Sequence, residues 1–495
     1  MSISKLAGQT AIYGISSVAA RFLNFLLTPY LTRILSPEDY GSYTDIYSLI
    51  PFALVVLTMG LESGYFRFAG KAEDGERKCT VFANAWGAVS LAALVFLVAV
   101  LLFNRPLAEA MRYGNTPSYV WLTGAIIALD VFCAIPFARL REQGKAAKFV
   151  VIRLVSVVVN VVLCLFFYSV LPTLAASSAA FEAIYCPEFG AGYALVANLV
   201  ASFVTVFFLL PACGWVRPRI SAKVLRPVFL YSMPLLISGI AGTANEYIDR
   251  QMIKFLMPAD EAFGVLGQFG AVSRLAVILV LFLQMYRMAA EPYFLGNFKK
   301  GDFVKMNAAA MKYYIIVAVG IFLGVTLFSD LFMLILGENL RGGAPLLPVI
   351  LVSNILTGVI FNLSFWYKQM GKTKFAIVIT GTGLVFTVVF NILLVPVLGM
   401  LGAVLARLVC ESVMAFVSYA LNRRHCPTPY AWRRIGSYVL VGAALFGVGY
   451  FTGMLPTVPK YLCNLALLGL YAVYFLRREN INPREMVMSV VRKIK

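Results

Sequence analysis

Three arginines, Arg21, Arg274 and Arg407, stand well inside long apolar stretches; of the acidic residues Asp130 lies at mid-depth, Glu62 low in its stretch and Glu411 within the same stretch as Arg407, while Glu246 and Asp249 sit near the outer end of theirs. An arginine at the centre of a membrane span costs on the order of 2.5–3.5 kcal/mol even on the gentlest insertion scale, so each must find a partner, water or an anion. Arg407 and Glu411 are four residues apart on one helical face, where a local ion pair accounts for both. Arg21 and Asp130 make a second candidate pair, bracing one half of the chain. Arg274 has no acidic residue within its own span, only Gln268 and Gln284, so an anionic ligand is the chemistry it suits best. Asn245 belongs to a group of hydroxyls and amides with Ser232, Ser238 and Thr243, which serves either helix–helix hydrogen bonds or substrate contact. The candidate substrate-binding residues are therefore Arg274, Arg21, Asp130, Asn245 and Arg407.

Other chemistries lack their residues. The one histidine, His425, falls in a basic connector, which leaves a histidine metal site or a Ser/His/Asp triad nothing to be built from. Eight cysteines are scattered singly with no CxxC pair, so a disulfide framework is not expected. The segment M370-G-K-T373 resembles the end of a phosphate-binding loop, but Trp366 stands where the first glycine belongs and no strand precedes it. No catalytic residue, metal or other cofactor is expected.

The elements that must hold these charges are membrane helices. Of 495 residues, 61% are hydrophobic and 13% charged, and the mean hydropathy is +0.83, far from the composition of a soluble domain. Runs of roughly 20 apolar residues recur along the chain, each long enough for a ~30 Å hydrocarbon core. The expected fold is all-α and polytopic, with fourteen spans at 9–31, 41–66, 80–103, 118–138, 149–170, 191–212, 227–248, 264–288, 309–330, 344–367, 375–396, 400–421, 436–455 and 461–476. The first run is too long for a cleaved leader. With the N-terminus inside, the connectors on that side carry 30 Lys/Arg and the opposite connectors seven, among them Arg112, Arg250 and Lys254. That bias sets both termini in the cytoplasm. The net charge of +19 then faces anionic membrane lipids at the cytoplasmic surface, and no nucleic-acid partner is needed.

Short sequences recur in order. The junction I34-L-S-P-E-D-Y-G41 returns as L256-M-P-A-D-E-A-F-G264, R141-E-Q-G-K145 as K368-Q-M-G-K372, and A194-L-V-A-N-L-V200 as A403-V-L-A-R-L-V409. The offsets are 221, 227 and 209 residues, the last shortened by an extra outer loop at 171–190. Spans 1–6 and 7–12 thus read as a parallel duplication. The expected organisation is an N-terminal lobe over 1–215, a C-terminal lobe over 216–425, and two extra spans with a basic tail over 426–495. In the first junction Ser36, Pro37 and Asp39 are the residues of a strong helix start.

Arg21, R33-I-L-S-P-E-D-Y-G41, G60-L-E-S-G-Y-F-R-F68 and G399-M-L-G-A-V-L-A-R-L-V409 together resemble the polysaccharide-biosynthesis branch of the multidrug/oligosaccharidyl-lipid/polysaccharide exporter superfamily, over roughly residues 5–425. Fourteen spans also resemble the related lipid II flippases. The resemblance implies a flippase of the bacterial cytoplasmic membrane that moves an undecaprenyl-diphosphate-linked oligosaccharide outward by alternating access, upstream of a polysaccharide polymerase. Helices 1, 2, 7 and 8 line the cavity in such families, which would bring Arg21 and Arg274 to the diphosphate. Two alternatives stay open: a multidrug or cation antiporter of the same superfamily with Asp130 or Glu62 as the coupling carboxylate, and a membrane-embedded polymerase or ligase.

Overall fold

The computed structural model describes residues 22–23, 25–72, 74–214, 216–296, 303–372 and 374–480. Every secondary-structure element among them is helical. The long helices are α1 (Pro37–Thr58), α2 (Leu61–Lys71), α3 (Gly75–Leu102), α4 (Pro117–Glu142), α5 (Ala146–Leu165), α6 (Gly192–Cys213), α7 (Ala222–Leu256), α8 (Ala259–Leu275), α9 (Val277–Gly296), α10 (Phe303–Leu327), α11 (Leu347–Leu363), α12 (Lys374–Leu398), α13 (Met400–His425), α14 (Trp432–Thr452) and α15 (Thr457–Arg478). Among the described residues twelve helices are long and apolar enough to cross a membrane, and α8 with α9, bent by 51° at the break between them, is long and apolar enough only as a pair. Each expected span from the second to the fourteenth falls on helix, the second and the eighth on two of these long helices each. Most of the first, 9–31, lies outside the described residues, as does the tail beyond 480.

The helix starts and stops follow local chemistry. Ser36 caps α1, its Oγ accepting from the Asp39 N–H at 3.1 Å, with Pro37 at the first helical position. The second expected span is not one helix: Met59 and Gly60 both adopt left-handed backbone and separate α1 from α2. The two glycine echoes turn out to be one cap used twice. Gly144 and Gly371 have φ of 68° and 65°, and the following lysines reach back to the Leu140 and Tyr367 carbonyls, both at 2.9 Å. A glycine at that position costs nothing in the left-handed region, and the bonds satisfy carbonyls that the helix end leaves open. His425, expected in a connector, is instead the last residue of α13, its ring stacked on Trp366 at 5.5 Å.

The chain divides into two compact units. The first holds residues through Arg274 together with Leu336–Gly343 and Thr373–Cys410. Its core packs Leu61 and Tyr65 of α2, Phe82, Trp86 and Val89 of α3, and Ile127, Val131 and Ile135 of α4. Within it α8 crosses α1 at backbone contact distance. A Cβ on Gly41 would lie 1.9 Å from the Phe263 carbonyl oxygen, and one on Gly267 would lie 2.0 Å from that of Pro37. Only glycine permits that approach.

The second unit holds Leu275–Ile335, Ala344–Lys372 and the chain from Glu411 onward. Its core includes Phe303, Phe361 and Phe365. Helix α15 is anchored on α10 through polar contacts: Asn464 donates to the Leu327 carbonyl at 2.6 Å, and the Tyr471 hydroxyl to that of Ile316 at 2.7 Å; Thr452 of α14 donates to Asn464 at 2.7 Å. At one end of the unit Glu479 accepts from Lys312 and from Tyr438.

Candidate functional site

Arg274 is the penultimate residue of α8, just before the chain breaks at Ala276. Its guanidinium interacts electrostatically with Tyr43, Tyr40, Tyr47 and Tyr247, and it hydrogen-bonds Tyr40, which Thr28 also bonds. Tyr40, Tyr43 and Tyr47 follow one face of α1, with ring centroids 5.6 and 4.3 Å apart. Among the described residues no carboxylate pairs with Arg274; the cation is held by neutral phenols. A guanidinium paired with no carboxylate keeps its charge available to a phosphate.

The other expected site residues separate into distinct neighbourhoods. Asn245 on α7 donates to the Thr380 carbonyl at 3.0 Å and accepts from Thr387 Oγ1 at 3.3 Å, tying α7 to α12. One turn on, Asp249 lies 2.9 Å from the Arg250 guanidinium and 3.6 Å from that of Arg407, which also donates to the Glu246 carbonyl at 3.4 Å. Asn245 and Arg407 thus belong to one polar seam joining α7, α12 and α13. Asp130 stands apart on α4, where it accepts from Ser202 Oγ at 3.0 Å and faces the charge of Arg153. Arg153 in turn lies over the Phe137 ring at 4.5 Å. Arg21, the expected partner of Asp130, lies outside the described residues. Glu62 forms an ion pair with Arg141, and Glu411 accepts from Thr357 at 3.0 Å.

A fourth neighbourhood escaped the residue-by-residue reading. Lys254, expected in a connector, is inside α7, which runs eight residues past the expected end of its span at 248, to Leu256. Its ammonium lies 2.5 Å from Asp45 on α1, and neither side chain exposes any surface. Asp45 also accepts from the Tyr113 hydroxyl at 2.6 Å and from Gln251 at 2.5 Å. Arg112, with φ of 60°, donates to the carbonyls of Lys254 at 2.5 Å, Met257 at 3.1 Å and Phe255 at 3.4 Å, capping α7 from a separate segment. The one signal in the sequence was Asp45 itself, a carboxylate on the spanning helix α1.

Residues 6–298 match the family described as polysaccharide biosynthesis protein. No curated protein matches the chain in sequence. Among solved structures, the lipid II flippase MurJ in an inward closed conformation superposes with a TM-score of 0.74 at 14% identity, covering 94% of this chain and 99% of that one. An inward-facing multidrug resistance MATE family transporter of the MOP superfamily gives 0.66 at 16% identity, covering 84% and 95%. The MATE multidrug transporter DinF-BH gives 0.62 at 15% identity, covering 86% and 96%. At these identities the likeness is one of fold.

Proposed function

The chain belongs to the polysaccharide biosynthesis protein family, and from that premise we propose that it is a flippase for an undecaprenyl-diphosphate-linked oligosaccharide. It works in the bacterial cytoplasmic membrane, with both termini in the cytoplasm as the Lys/Arg bias requires. Translocation proceeds by alternating access between lobes formed by residues 1–215 and 216–425, with 426–495 as an appended pair of helices and a basic tail against anionic lipid. The translocated glycan then passes to a polymerase.

The observation that carries this reading is Arg274, a guanidinium inside a spanning segment whose described neighbours are tyrosines rather than carboxylates. A diphosphate is the anionic part of such a lipid and accepts two parallel N–H bonds from one guanidinium. A sugar ring beside it meets Tyr47, the partly exposed member of the tyrosine row. Arg21 supplies the second cation, and Asp130, Asn245 and Arg407 hold the helices around the path.

The test is transport of a fluorescent lipid-diphosphate oligosaccharide in proteoliposomes, together with complementation of a flippase-deficient strain. Loss of charge-assisted hydrogen bonds worth about 1.5–3 kcal/mol predicts a roughly 10- to 100-fold fall for Arg274→Ala. Arg274→Lys restores part of it. Retention of full flipping by both Arg274→Ala and Arg21→Ala overturns the assignment.

A further inference from the structure

The buried cluster around Asp45 and Lys254 lies apart from the Arg274 neighbourhood, and its construction is unusual for a pair that only stabilises. Both ions are fully enclosed, 2.5 Å apart, and come from helices 209 positions apart in sequence. The carboxylate takes three donors, Lys254, Tyr113 and Gln251. The ammonium has one carboxylate and the faces of Tyr113, Phe255 and Phe263 at 4.4, 5.4 and 5.7 Å. A buried ion pair rarely exceeds an apolar isostere in stability, because desolvation cancels most of the attraction. An apolar seam would therefore hold α1 to α7 at least as well.

The difference appears when the seam opens. Parting two apolar faces leaves them in water with nothing to offset the exposure. Parting an ion pair lets water solvate each charge, which recovers the desolvation that closing required. Such a contact is tight when dry and separable when wet. Its surroundings fit that use: Tyr113, which donates to Asp45, also lines an open depression of about 440 Å³ with Ser42, Glu109, Arg112 and Phe263. Tyr113 therefore touches both that depression and the pair. The same face of α1 makes the glycine contact with α8, since Gly41 is one turn from Asp45.

We propose that Asp45 and Lys254, with Tyr113 and Gln251, form a charge latch that closes the outer end of the translocation path and must separate for each outward opening. The reading rests on alternating access as proposed above. When the pair is dry, α1 and α7 are joined and the path is shut at the Lys/Arg-poor face. When water enters past Tyr113, both ions hydrate and the helices part.

The test reads access directly, so that it does not depend on any substrate being moved. A protein without native cysteines carries Thr44→Cys on α1 as reporter, and a membrane-impermeant maleimide is applied in turn to either side of vesicles. Asp45→Asn or Lys254→Met should speed labelling from the outer side by about tenfold or more, with no change from the inner side. The apolar pair Asp45→Leu/Lys254→Met should label more slowly than the parent and should not support flipping. The exchanged pair Asp45→Lys/Lys254→Asp should return labelling toward the parent rate. If folded single variants label at the parent rate, or if the apolar pair flips normally, the latch is wrong. If no lipid-linked oligosaccharide is moved by the parent while labelling responds as described, the latch stands and the substrate reading falls.

Discussion

The crossing of α8 over α1 sets the distance between Arg274 and its tyrosines, and one methyl group is enough to disturb it. In Gly267→Ala the new Cβ would stand 2.0 Å from the Pro37 carbonyl oxygen and 3.1 Å from the Gly41 nitrogen, where ordinary contact begins at 3.4 Å. Both neighbours are backbone, so no rotamer change relieves the clash, and the helices must part by roughly 1.4 Å at that point. Overpacking of this kind costs about 1–3 kcal/mol, partly offset by the ~1 kcal/mol that alanine gains over glycine within a helix. Gly264→Ala is the matched control, because its Cβ meets only the flexible end of Glu38, at 3.3 Å. That variant keeps the helical gain and should melt at or above the parent temperature in detergent. Gly267→Ala should melt below both. It should also flip substrate more slowly than its stability loss explains, since a hydrogen bond between Arg274 and Tyr40 does not survive a shift of that size. Equal melting temperatures for Gly264→Ala and Gly267→Ala would refute the close crossing and the geometry of the arginine with it.

Two further outcomes concern the second unit. Asn464 is buried, donates to the Leu327 carbonyl at 2.6 Å and accepts from Thr452 at 2.7 Å, so Asn464→Leu should destabilise the docking of α14 and α15 by about 1–3 kcal/mol, read as a lower melting temperature with protease sensitivity appearing first in residues 426–480. Burial alone would raise the Glu479 carboxyl, but hydrogen bonds from Lys312 and Tyr438 and the charges of Lys312 and Arg434 hold it below its ordinary 4.5. A depressed carboxyl contributes stability that is complete above its unfolded value and disappears as pH falls through the folded one, so the parent should lose melting temperature on acidification below the ordinary carboxyl value of 4.5 more steeply than Lys312→Met.

What the sequence made legible divides along the range of the forces involved. Apolar length is local, and it placed a helix at every expected span that the structure describes. Cap chemistry is local as well, so Ser36, Gly144 and Gly371 were readable at their own positions. The breaks at Met59–Gly60 and at Ala276 were not, since 41–66 and 264–288 each read as one span long enough to cross a membrane. Arg274 could be singled out because a cation inside an apolar span is costly wherever its helix packs. The Asp45–Lys254 pair could not, for two reasons that act together. The end of α7 is fixed by Arg112, whose guanidinium arrives from 142 positions away in sequence to cap the Lys254 carbonyl, so nothing near Lys254 says that it is helical. A lysine counted in a connector then looks hydrated, and Asp45 looks like a carboxylate one turn inside a span end. Only the fold turns two ordinary charges into a sealed ion pair, and it does so on the helix that the Ser36–Pro37 junction launches. That junction, the most recognisable stretch of the chain, sets the register of α1. The register in turn points Tyr40, Tyr43 and Tyr47 at the arginine and Asp45 at the lysine.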